Sequence, residues 1–304
     1  MESSDFSVSP VITYKSDDIT LTSNYWADYK YVWGDEFNDG RINSLLWQYG
    51  AESPSSIEKP YNVKYNRNLV KVNDSGEVVF TLDYDETANA FYRPPDLHTK
   101  STMNYKFGYI EMRAKLPLAP NSWTSFWTQS VVDNYNTLVA SDYKAYKAET
   151  DIFETLTSDD TALVPNLHKW FLTWENDKVV SSYDTQTIES VRNANTTRIT
   201  DDEYHIIGME WTDEYIKMFI DGVPYAYYSF NDLEKAAVDP FGNITNPGYT
   251  RDTQGFREPI LICVGTGIKK LSDPSPNSFP NEFCVDWIRL YQKNPVENST
   301  IWTR

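Results

Sequence analysis

Positive charge is in short supply. The chain has 27 Lys and Arg against 44 Asp and Glu, a formal net charge of −17 over 304 residues. Nucleic-acid binders and proteins of anionic membrane surfaces need a basic patch, so neither partner fits. A neutral polymer is an easier ligand than a heavily sulfated or uronic one. Long apolar runs are missing too. None approaches the ~20 residues of a spanning helix, and no membrane insertion is expected. There are only 2 cysteines, Cys263 and Cys284, and no C-x-x-C. That argues against a zinc site, while a free buried pair and a single disulfide both stay open. No signal-peptide core follows Met1. Repeats, low-complexity tracts, linkers and long amphipathic helices are all absent. One domain over 29–304 is therefore expected. Residues 1–28 read as a polar extension with one short strand around Val11–Tyr14, packed on the domain edge.

What is present points to sheets. Hydrophobic residues make up 40% of the chain, enough for a large core, and aromatics reach 15% with 22 Tyr and 10 Trp. Such rings suit pleated surfaces and also stack on sugar faces. Short alternating runs at Val78–Leu82, Tyr109–Leu116, Ile206–Glu210, Ile216–Ile220 and Ile260–Val264 read as strands. Asn73–Gly76 and Asp221-Gly222 carry hairpin-turn chemistry. Asn231–Ala237 reads as one short helical turn, and the Gly-, Asn- and Pro-rich stretch 243–256 as a loop flanking a cleft. The expected class is all-β, a sandwich or barrel.

Within this frame one stretch is anomalous: Glu149-Thr150-Asp151-Ile152-Phe153-Glu154. Three carboxylates in six residues are out of place in a core strand, because a buried unpaired carboxylate is costly. Glu149 and Asp151 alternate onto one face of an extended strand. A regular pleat would send Glu154 to the other face, and a β-bulge near Ile152-Phe153 would bring it back. The acids would then form the paired-carboxylate arrangement of glycoside hydrolysis, one ionised and one protonated, with Asp151 between them holding a proton.

The stretch resembles the active-site signature of glycoside hydrolase family 16, in its bulged form. Further segments are similar to that family in order. They are Val32–Asn38, Lys106–Pro117 (G-x-x-E-x-R-x-K-x-P), Ser122–Trp127, His205–Thr212 with Phe219–Gly222, and Val285–Gln292. The resemblance implies a two-sheet β-jelly roll of the concanavalin or lectin kind, with a substrate groove across one sheet. It implies a retaining, endo-acting β-glycanase in which Glu149 is the nucleophile, Glu154 the acid and base, and Asp151 their partner, orienting Glu149. Trp123, Trp127, His168 and Trp170 would bind substrate, and Arg93 and Arg257 could reach the groove. No cofactor is required for catalysis. A structural calcium at Asp286, with the backbone around Glu36 as companion, is implied by analogy.

The resemblance also implies a secreted, periplasmic or cell-surface protein whose leader is not in this chain, and a monomer is expected. Members acting on β-1,3-glucans usually carry Trp-Pro and Gly before the first Glu. Asp142–Ala148 has neither, and Thr150 replaces an aliphatic residue. The reading therefore leans to β-galactoside-containing chains, with β-1,3- or mixed-linkage glucan as the alternative. Transglycosylation would use the same residues. A non-catalytic carbohydrate-binding jelly roll is the alternative from another class.

Overall fold

The computed structural model describes residues 26–50, 52–53, 55, 58, 61–117, 120–131, 145–155, 161–175, 178–183, 197–230, 237–238, 244–246, 253–269, 278–293 and 302–303. Its strands form two large sheets. One has eight strands, with the path Lys178–Tyr183, Ala162–Glu175, Ala145–Glu154, Ser122–Ser130, Ile260–Ile268, Leu97–His98 and Gln48–Tyr49. The other has ten, with the path Val223–Ser229, Tyr215–Ile220, His205–Trp211, Gly108–Lys115, Asn281–Lys293, Val78–Asp85, Ala90–Arg93 and Val63–Tyr65. Tyr29–Asp35 adds to it beside Asn281–Lys293. Pairing is antiparallel throughout the named paths, except that Val63–Tyr65 runs parallel to Ala90–Arg93. This is the two-sheet jelly roll expected from the sequence.

Alternation sorts each strand between two environments. In Gly108–Lys115, Ile110, Met112 and Ala114 point into the core, where they meet Phe126, Ile152, Phe153 and Ile262 of the facing sheet. Outward-facing positions of the ten-stranded sheet are themselves covered. Trp26 packs on Tyr29, Tyr109 and Phe219 to make a second small core, with the Trp26 and Tyr109 rings 4.2 Å apart. Glu111 and Glu210 are fully buried beside it.

The five strands expected between Val78 and Val264 fall on observed ones, to within one residue at Leu116. Asp221 and Gly222 both take positive φ, 49° and 77°, the signature of a tight hairpin turn. Cys263 and Cys284 lie in different sheets as free, buried thiols, which closes the disulfide alternative. Of the 243–256 stretch, Ile244–Asn246 is a strand and Thr253–Arg257 a 3-10 helix. The strand expected at Val11–Tyr14 lies outside the described residues. So does the helical turn at Asn231–Ala237, apart from Ala237, which opens a two-residue strand.

Candidate active site

The acidic strand Ala145–Glu154 lies between Ser122–Ser130 and Ala162–Glu175. Against the first, Glu149 faces Gln129 and Asp151 faces Trp127. The register then skips, so that Phe153 faces Phe126 and Glu154 faces Ser125. Ile152 is the extra residue, and the pairing with Ala162–Glu175 shifts in the same interval. Ile152 and Phe153 are both fully buried in the core. Two consecutive inward side chains are incompatible with a regular pleat, so the strand bulges. Burial of that apolar pair is what returns Glu154 to the face of Glu149 and Asp151. The bulge is tied down on both sides. The hydroxyl of Tyr225, from the opposite sheet, donates to the Ile152 carbonyl. Thr155 accepts from Thr124 N at 2.9 Å and donates to Ser122 O at 3.0 Å.

Over this surface lies an open cleft of about 330 Å³, lined by Glu149, Asp151, Glu154, Trp123 and Trp127 and walled by Tyr65, Arg93 and Asp96. The indole N–H of Trp123 donates to Glu154 Oε1 at 3.0 Å. Gln129 Nε2 donates to Glu149 Oε2 at 3.3 Å. His168 stands opposite Glu149, its Nε2 lying 2.9 Å from Asp151 Oδ2. That is an ion-pair approach without hydrogen-bond alignment; the same nitrogen is 2.9 Å from Asn166 Nδ2.

Burial pushes all three carboxyls up. Glu149 rises to about 8, chiefly by loss of solvent and then by the charge of Asp151, while His168 opposes the rise. Asp151 is raised well above the usual range by burial and by the charge of Glu154. Glu154 is raised by burial, against which Trp123, His168 and the buried Lys269 all pull down. Lys269 also donates to the Thr155 carbonyl, next to Glu154. Chemically, the cluster holds protons near neutrality in a site that also presents carboxylate oxygens. A proton donor and a nucleophile can coexist there.

The sequence model of the family described as glycosyl hydrolases family 16 matches residues 57–246. The chain belongs to that family. Among curated relatives, glucan endo-1,3-beta-glucosidase A1 of Niallia circulans is 23% identical over 90% of this chain and 39% of its own length. The chain thus spans well under half of that relative. Among solved structures, SCLam, a non-specific endo-beta-1,3(4)-glucanase, superposes with a TM-score of 0.61 at 22% identity, over 91% of this chain and 95% of that one. A structure reported with endo-acting O-glycanases of the human gut microbiota superposes at 0.60 and 19% identity, over 88% and 92%.

With the family 16 fold in place, each site expectation can be located. Glu149, Asp151, Glu154, Trp123, Trp127 and His168 come together at the cleft. Asp151 lies between the two glutamates electrostatically, its charge raising Glu149 and the charge of Glu154 raising it in turn. The backbone of Trp170 pairs with Lys147, but its side chain lies outside the described residues. Arg93 walls the cleft with its guanidinium already committed, 2.8 Å from Glu58 and 2.5 Å from Asp96. Arg257 is not at the cleft. It donates to Asp213 O at 2.9 Å and sits over the Phe230 ring. At the place suggested for calcium, the two acidic side chains are already paired with arginines. Asp286 is held by Arg113 at 2.5 Å and Glu36 by both arms of Arg289 at 2.7 and 2.8 Å. Those guanidiniums supply the positive charge that an ion would bring.

Gln129, Asp96 and Lys269 went unnoticed in the sequence. Gln129 was within reach of reasoning, because it repeats the two-residue step that relates Trp127 to Ser125. Asp96 and Lys269 reach the site through long-range pairing and carry no local signal.

Proposed function

We infer that the protein is an endo-acting, retaining β-glycanase that cuts internal β-linkages of a polysaccharide or glycan. The observation that carries this is the bulge, which turns Glu149, Asp151 and Glu154 onto one wall of an open, tryptophan-lined cleft. Ionised Glu149 attacks the anomeric carbon while Glu154 passes its proton to the departing oxygen. The C–O bond breaks and a glycosyl-enzyme forms. Glu154 then takes a proton from water, whose oxygen displaces Glu149. Asp151 keeps a proton near Glu154 between the two steps. Trp127 offers a ring to a sugar face, and an internal unit of a polymer would lie along the cleft.

For the substrate, the lean is to β-galactoside-containing chains, host-type O-glycans among them. It is supported by the missing Trp-Pro and Gly in Asp142–Ala148 and by the likeness to the O-glycanase-associated structure. Endo-β-1,3- or mixed-linkage glucan cleavage is the second reading, favoured by the Niallia circulans relative. Incubation with laminarin, lichenan, galactan and mucin O-glycans, with products sized and anomers followed by NMR, tests both. One polymer should fall to oligosaccharides of retained configuration. Glu149→Gln and Glu154→Gln should each lose at least about a thousandfold in kcat/KM while still binding it. A fully active Glu149→Gln protein ends the mechanism.

A further inference from the structure

A second charged assembly faces the cleft beside the acids. Ser125 pairs with Glu154 on one side and with Gly265 of Ile260–Ile268 on the other. In the next row Trp123 pairs with Gly267. Neither glycine puts a side chain on the cleft floor, and Asp96 and Arg93 lie in the space left. A Cβ on Gly265 would overlap Asp96 Oδ1, and one on Gly267 would come within 2.6 Å of Arg93 Nη1 and 3.0 Å of Glu58 Oε1. Glu58 is fully buried, and the Arg93 side chain is 6% exposed. Glu58 also accepts from Tyr65 at 3.1 Å and from Ser55 N at 3.0 Å. Glu58 and Arg93 thus cancel as a buried pair, and Asp96 is left as the uncompensated charge.

Asp96 is the member that meets solvent. Its side chain is 36% exposed, and Oδ1 is fixed by Arg93 Nη2 at 2.5 Å. Among the described residues Oδ2 has no hydrogen-bonding partner. We propose that Asp96 is a specificity-determining residue: Oδ2 accepts a hydrogen bond from a hydroxyl or amide N–H of a neutral sugar unit bound over Ile260–Ile268, and its charge excludes an anionic unit there. The acidic strand and Gly265 are two strand spacings apart, ~10 Å, so the unit is read one or two sugars away from the scissile bond. Arg93 and Glu58 act as positioning residues. An acceptor already held in place loses little freedom on binding, and a charged acceptor makes the stronger kind of hydrogen bond.

This assignment rests on the glycan-cleaving reading, and binding separates the two. Laminarin, lichenan and N-acetyllactosamine hexasaccharides, with a 6-sulfated N-acetyllactosamine form, would be titrated calorimetrically into the Glu149→Gln protein and into Asp96→Ala and Asp96→Asn made on it. For the neutral hexasaccharide that binds best, Asp96→Ala should weaken Kd at least about tenfold. Asp96→Asn should recover part of that loss and should bind the sulfated chain more tightly than the parent does. The three proteins should share one near-UV circular dichroism spectrum, which a general structural defect would not allow. Equal hexasaccharide affinity in Asp96→Ala overturns the proposal. A wild-type protein that binds hexasaccharides but cuts none sinks the hydrolase reading and leaves Asp96 standing. If no hexasaccharide binds, both fall.

Discussion

The acids of the cleft are set by what surrounds each of them, and the surroundings differ enough to be pulled apart by substitution. Glu149 must ionise to attack, yet burial holds it at about 8. Glu154 must keep its proton, and Trp123 works against that by bonding the ionised form. The acid limb of kcat/KM should therefore lie well above the ordinary carboxylate range. Trp123→Phe removes a donor from Glu154 and raises its pKa, so the basic limb should move to higher pH with the acid limb in place. His168 lowers both glutamates, so His168→Gln should move both limbs up. A profile unchanged in both variants would show that these contacts do not tune the cluster. The acids and the tryptophans were legible because their spacing is local. Arg93 and Arg257 were not, since whether an arginine is free depends on partners such as Glu58 and Asp213, 35 and 44 residues away.

The next question is what keeps a bulged strand in register. Two adjacent core residues, Ile152 and Phe153, force the irregularity, and that much can be read from apolar neighbours between carboxylates. Its restraint cannot. Tyr225 reaches the Ile152 carbonyl from the facing sheet, 73 residues along the chain. Removing its hydroxyl leaves a buried carbonyl without this donor, a loss of about 1–3 kcal/mol. Tyr225→Phe should lower stability by that amount in denaturant titration. Because Glu154 lies two residues beyond Ile152, kcat should fall several-fold with KM nearly unchanged. Loss of stability with full kcat would mean that the tyrosine holds the core and not the catalytic geometry. Strand identity followed from alternation, whereas the order of strands in each sheet is set by long-range pairing that no short window of sequence contains.

Taken as one body, the molecule is a strongly anionic sandwich that withdraws carboxyls from solvent on both sheets: Asp151 buried and Glu149 and Glu154 half-buried at the cleft, and Glu111 buried beneath the Trp26 cluster. Burial raises Glu111 from 4.5 to about 7 and Glu149 from 4.5 to about 8. An acid whose folded pKa is raised contributes stability that is whole below its unfolded pKa and is lost as pH climbs through the folded one. His205, held at about 9 mainly by its hydrogen bond to Asp221, slopes the same way above 6.5. Melting temperature should consequently decline from about pH 5 to pH 8.5. Repulsion among surface acids would also oppose folding, but they are already ionised over most of that range and are screened by salt. High salt should therefore raise the curve while leaving its slope. Glu111→Gln should flatten the slope below about pH 7 without touching activity, because Glu111 lies on the far side of the other sheet. Glu149→Gln should flatten it up to about pH 8 and abolish activity. A melting temperature independent of pH across this window in the wild type would mean that these carboxyls are not buried as described, and the shared protons on which the proposed catalysis relies would go with them.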